Sequence, residues 1–309
     1  MAYFLMIVCV ITCTIQSPFK KIYQSKSNKG TFLFVAMITL AAAFFFAGAC
    51  LFQGFSFELA ALPYSLLFAF ALAVCNVTSV LALRYGSLAL TSLISSYSLM
   101  IPTVYGFLRF KEHVYVSQLI GLVLLVISLY MTNMVKKKPV GNVEDTAAAA
   151  EEKQKKNTFV LWLIMAIAMA LSNAMCTIVQ REEQVRFDGA YKNEFMLIAL
   201  LVSFVAMLAI GLVRERRDLK TVVKLGAVPA VLTGAANGGT NLLVMIVTAT
   251  IATSVFYPVI SGGGMVLAYV ISVTFFKEKF TTMQKIGILL GVASLLFLNI
   301  PFGDLGAIV

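Results

Sequence analysis

Charge is scarce in this sequence. Asp, Glu, Lys and Arg together make up 12% of its 309 residues, while hydrophobic residues make up 60%. Soluble domains carry about 25% charged and about 45–50% apolar residues. A water-soluble core of this length could not hide so much apolar surface, so that surface faces lipid. Histidine is almost absent, His113 being the only one. The five cysteines (Cys9, Cys13, Cys50, Cys75 and Cys176) all lie in apolar runs, without metal-ligand spacing or an extracellular disulfide framework. Zinc chemistry and Cys–His nucleophilic catalysis therefore lack their parts, no cofactor is implied, and an enzyme is not expected. Basic residues are also missing before the first apolar run: no Lys or Arg precedes Lys20. A secretory signal has the opposite polarity, so residues 1–17 read as a first membrane helix.

The net charge of +10 is the usual footprint of nucleic-acid binding. Here the basic residues fall between apolar runs, where they orient the chain and meet lipid headgroups, so nucleic acid is not an expected partner.

A bilayer core of about 30 Å takes roughly 20 helical residues. That ruler predicts spans at 2–18, 31–52, 61–83, 87–108 and 115–134, then 159–179, 193–213, 226–247, 250–274 and 282–300. The fold class is thus all-α and polytopic. Between the sets lies the charged linker 135–157, flanked by a first five-helix unit, 1–134, and a second, 158–309.

A shift of 166 residues lays one unit on the other. Between 93–134 and 259–300, fourteen of forty-two positions are identical, including Phe110-Lys111-Glu112 with Phe276-Lys277-Glu278, Gln118 with Gln284, Gly121 with Gly287 and Asn133 with Asn299. Apolar bias aligns Leu with Leu, but not Lys-Glu, Gln and Gly in one register. Five crossings per unit make the second enter the membrane from the opposite side, so the repeats are inverted, a geometry common among secondary transporters. Loops after the odd spans hold nineteen Lys and Arg and the other side holds five. This bias places linker 135–157 in the cytoplasm and both termini outside.

The stretch LRYGSLALTSLISSYSLMIPTVYGFLRFKEHVYVSQLIGLVLLVISLYMTN resembles a half-unit of the drug/metabolite transporter superfamily, specifically its EamA-like ten-helix branch. A polar helix with a mid-helix proline, Pro102, leads into a Lys-Glu loop and a Gln-x-x-Gly helix, and residues 250–300 repeat the pattern. Lys111 and Lys277 stand where the family pattern often has Gly before Glu. The resemblance implies transport of a small metabolite across the cell membrane. The related small multidrug pumps use a membrane-buried Glu. All fourteen acidic residues here fall in loops or at span ends, Glu194 opening span 7, so a neutral or zwitterionic solute fits better than a cationic drug.

Polar residues within spans are the candidate substrate contacts: Asn76 in span 3, Ser96 and Tyr97 in span 4, Asn173 in span 6, Asn237 and Asn241 in span 8, and Tyr257 and Ser261 in span 9. Asn is costly to desolvate, which separates these four from Ser and Thr, whose default role is bonding between helices. Thr14 and Gln16 in span 1 are further polar candidates. Pro258 with Gly262-Gly263-Gly264, and Pro102 in the other unit, are expected to weaken the helix ladder beside a cavity. Gly234/Gly238 and Gly287/Gly291 form faces for close helix packing, and Trp162 is expected to anchor at the interface. The partners are a small-molecule substrate and the bilayer. A channel lined by the same residues is the alternative to a carrier.

Overall fold

The computed structural model describes residues 2–27, 29–98, 101, 105, 115–133, 146–248 and 253–299. Pro102, His113 and the Phe110-Lys111-Glu112 motif lie outside the described residues. Ten α-helices are found among the described residues. They are α1 (Ala2–Lys26), α2 (Thr31–Gln53), α3 (Leu62–Tyr85), α4 (Leu88–Tyr97), α5 (Val116–Asn133), α6 (Thr146–Arg186), α7 (Lys192–Arg214), α8 (Leu219–Thr248), α9 (Thr253–Thr274) and α10 (Thr282–Asn299). By length and composition, 31–53, 59–85, 157–186, 192–214 and 216–241 can each cross a bilayer. Large apolar side chains point outward all round the bundle, with Phe52 94%, Leu51 86% and Phe70 70% exposed. Such a surface is stable against hydrocarbon and not against water.

The repeats are visible in the packing. Helices α5 and α10 have bounds that differ by the same 166 residues, and they lie against each other. Ser128 on α5 donates to the Gly287 carbonyl at 2.6 Å, and Ser294 on α10 donates to the Gly121 carbonyl at 2.8 Å. Ser128 and Ser294 are equivalent under the shift, as are Gly121 and Gly287. Residue numbers rise along one helix as they fall along the other, so the two equivalent helices are antiparallel. The two units are therefore inverted, as the odd number of spans requires. Helix α1 packs on α8 while its counterpart α6 packs on α3, the same exchange seen from the other unit.

Three sequence expectations change. First, α1 continues through Pro18 to Lys26, so Lys20 belongs to the helix and not to a loop. Second, α9 runs unbroken through Pro258 and the three glycines. A Cβ at Gly264 would stand 3.2 Å from Thr14 Oγ1 and one at Gly263 would stand 3.3 Å from Val10 Cγ1, so these two glycines serve packing against α1. Third, Trp162 is 3% exposed and donates from Nε1 to Thr91 Oγ1 at 3.0 Å; it is a buried bridge between α6 and α4. The second part of the linker, from Thr146, is already helical. The Gly234/Gly238 face packs as expected: a Cβ on Gly234 would meet the Ile38 carbonyl at 2.5 Å.

Acidic residues at the helix ends join the two units. Glu215, between α7 and α8, accepts the Leu33 amide of α2 at 3.0 Å, supplying the cap that Gly30 cannot. At the other end of the bundle Glu194, 6% exposed, accepts the Ser56 amide at 3.2 Å. Glu183, near the end of α6, is fully buried.

Candidate functional site

The N-terminal helix carries a polar stripe. Thr12, Gln16 and Lys20 are spaced by four residues and share one face. Gln16 Nε2 donates to Thr240 Oγ1 at 3.4 Å, and Asn237 Nδ2 donates to Gln16 Oε1 at 3.2 Å. Thr240 reaches Thr12 Oγ1 at 3.1 Å, and Asn241 Nδ2 returns to the Asn237 carbonyl at 2.9 Å. One turn along, Lys20 leaves α8 for α3: its Nζ donates to Asn76 Oδ1 at 2.9 Å and to Ser79 Oγ at 3.3 Å. Asn76, Asn237 and Asn241 are thereby gathered around α1.

The other expected contacts are distributed differently. Asn173 Nδ2 donates to Ser98 Oγ at 2.6 Å, tying α6 to α4. Ser96 returns its hydroxyl to the Ser92 carbonyl of its own turn. The Tyr97 hydroxyl lies 2.7 Å from Ser128 Oγ. Since Ser128 gives its proton to Gly287, Tyr97 is the donor there, and its oxygen sits at the seam between the units. Tyr257 and Ser261 lie in α9, and their side chains fall outside the described residues.

Beside Lys20, at the Lys- and Arg-rich end of the bundle, Lys21 forms an ion pair with Glu278 of the second unit. Lys21 Nζ also donates to the Gly86 carbonyl at 2.9 Å and lies 5.7 Å from the centroid of Phe276. Both Glu278 oxygens accept the Leu88 amide at 3.1 Å, and Ser272 Oγ completes the set. A carboxylate at a helix N-terminus satisfies orphan donors and the positive end of the dipole. Glu278 therefore caps α4 of the first unit from the α9–α10 loop of the second. Lys277 adopts φ +51 to aim it, a left-handed conformation at the place where the family pattern often has glycine. Gly86 is held from the other side by Trp162, whose ring atom would come within 2.0 Å of a Cβ. The Lys-Glu motif was legible in the sequence. Lys21 as its partner was not, because 257 residues separate the two.

Sequence reasoning missed Lys20. It stands beside Lys21 in a basic cluster, and nothing in the local pattern distinguishes the buried lysine from its paired neighbour. Among the described residues there is no group of three or more metal-ligating side chains.

No characterised protein sequence matches this one closely enough to count as a relative. Several solved structures match; among them a protein of known crystal structure superposes with a TM-score of 0.51 at 14% identity, across 96% of this chain and 95% of that one; this is a likeness of fold. The profile of the EamA-like transporter family matches residues 1–134 and again 160–300, one match to each inverted unit. With both units matched, the chain belongs to the EamA-like transporter family, membrane proteins that carry small solutes.

Proposed function

We propose that this chain is a secondary carrier that moves a small, neutral or zwitterionic metabolite by alternating access. In this reading it resides in the cell membrane, with the linker 135–157 and the Lys- and Arg-rich end in the cytoplasm. Units 1–134 and 158–309 rock against each other about the α5–α10 seam. The observation that carries the reading is the Lys21–Glu278 contact. It joins the two units at the Lys- and Arg-rich end through an ion pair whose groups can separate as charged, hydratable side chains, and it is coupled to α4 through the Leu88 cap. A contact of this kind serves as a gate that closes one face while the other is open. Polar residues of α1, α3 and α8 line the expected route behind it.

Counterflow in proteoliposomes tests the proposal. Vesicles loaded with a mixture of unlabelled amino acids and small metabolites should accelerate uptake of at least one labelled member, with saturation. Lys21→Glu should slow that exchange at least tenfold, and adding Glu278→Lys should restore part of it. Flux that never saturates and ignores the internal pool would exclude the carrier.

A further inference from the structure

Lys20 and Lys21 diverge along α3. Lys21 reaches Gly86, just past the end of α3, whereas Lys20 reaches Ser79 and Asn76. At 1.5 Å per residue, those positions lie about 10 and 15 Å deeper. A lysine near a helix end ordinarily extends toward the headgroups. Lys20 extends the other way, is 8% exposed, and is the only Lys or Arg buried among the described residues.

Its surroundings do not neutralise it. Among the described residues the ion pairs are Lys21–Glu278 and Lys29–Asp218, and Lys20 has no carboxylate within 4 Å. An ammonium group has three N–H donors. Asn76 Oδ1 and Ser79 Oγ take two of them, and the third has no acceptor among the described residues. Asn76 presents its oxygen to the lysine, which turns its NH2 group away from Lys20, again without an acceptor among the described residues. What remains is a cluster of donors and one positive charge, with no acceptor facing it. Burying an uncompensated charge is costly, and a titratable group at depth in a membrane bundle marks a binding or relay site.

We infer that Lys20 and Asn76 form an anchor for the carboxylate of the transported solute, making the substrate an amino acid or another small zwitterion with one carboxylate. One carboxylate group matches the single buried cation, whereas a phosphate dianion would need a second. The inference rests on the carrier reading only where flux is concerned. It also places the anchor one residue from the gate: Lys21 holds the end of α1 through Glu278, so a carboxylate drawing on Lys20 acts on the same turn of helix that the gate restrains.

The test uses the full-length protein in detergent and a panel of L-amino acids and other small zwitterions with one carboxylate. Each is paired with its primary amide, at equal ionic strength as the chloride or sodium salt, and thermal stability is read by a dye-free melt. At least one acid should raise the melting temperature while its amide does not. Lys20→Met and Asn76→Ala should each weaken that binding at least tenfold, and Lys20→Arg should weaken it less. The empty Lys20→Met protein should melt at or above the parent, because a buried charge has been replaced by an apolar side chain of similar length. Equal stabilisation by acids and amides, no stabilisation by any acid, or full binding in Lys20→Met would each overturn the anchor. So would a lower melting temperature of empty Lys20→Met, which would make Lys20 a structural clamp. A bound acid that is never exchanged across vesicles would leave the anchor standing and remove the carrier; exchange of an amide independent of Lys20 would do the reverse.

Discussion

Lys20 and Lys21 are neighbours in sequence, yet one ends on Asn76 and Ser79 with no carboxylate near it and the other is paired with Glu278 of the opposite unit. Two adjacent positions on a helix point about 100° apart. That turn places one side chain on the ion pair between the units and the other in the interior.

The Glu278 carboxylate acts through two partners at once, the Lys21 ammonium and the α4 N-terminus. Glu278→Gln should lower stability by about 1–3 kcal/mol, combining a lost cap with a partly desolvated ion pair. In a double-mutant cycle with Lys21→Met the two changes should couple by about 0.5–2 kcal/mol. Chemical denaturation in mixed micelles measures both, and strict additivity would show that the contact is not held in the folded protein.

Ser128→Ala and Ser294→Ala each remove the donor from a buried glycine carbonyl at equivalent places in the two units. Each should cost about 0.6 kcal/mol, the average measured for hydrogen bonds between membrane helices, and no more than about 1.7 kcal/mol, the largest. Ser128→Ala should cost slightly more, since it also removes the acceptor for the Tyr97 hydroxyl. Finding one serine silent and the other severe would contradict the two-fold packing of α5 on α10.

Gly86→Ala places a methyl group into the Trp162 ring, and overpacking of this kind costs about 1–3 kcal/mol. Trp162→Phe alone should be mildly destabilising through loss of the bond to Thr91, and in the Gly86→Ala background it should recover stability. Melting temperatures of the three variants decide this; an unchanged Gly86→Ala would show that α6 does not approach the α3–α4 turn.

Glu215 lies outside the spans, and burial raises its pKa above the ordinary carboxylate range, outweighing the backbone amides of Leu33, Phe32 and Thr31 that favour the charged form. A folded-state value above the unfolded one means that the folded chain binds more protons in that interval. Stability should therefore fall as pH rises from the ordinary carboxylate range through the raised value, then level off. Glu215→Gln should flatten that part of the curve. A pH series of melts on the two proteins checks it, and identical slopes would count against a half-buried carboxylate there.

Reporter fusions or cysteine labelling should find residues 135–157 on the cytoplasmic side together with the α1–α2 loop. Labelling of the linker from outside intact cells would reverse the orientation drawn from the Lys and Arg bias.

The sequence by itself determined the bundle. Apolar runs long enough to cross a bilayer must become helices there, because hydrocarbon offers no partner for a free backbone group, and their number, their repeat and hence the inversion follow from counting. It also exposed Glu278 through a repeated motif, and Asn76 and Asn237 as polar groups at depth. Proline and three glycines suggested a break in α9, but close packing against α1 keeps that helix continuous. Trp162 read as an interfacial anchor because only its position in the chain, beside a basic linker, was visible. Which lysine is buried, which is paired and what Trp162 touches depend on contacts between residues tens to hundreds of positions apart. Those are set by how the helices rotate about their own axes when they pack, and only the tertiary structure decided them.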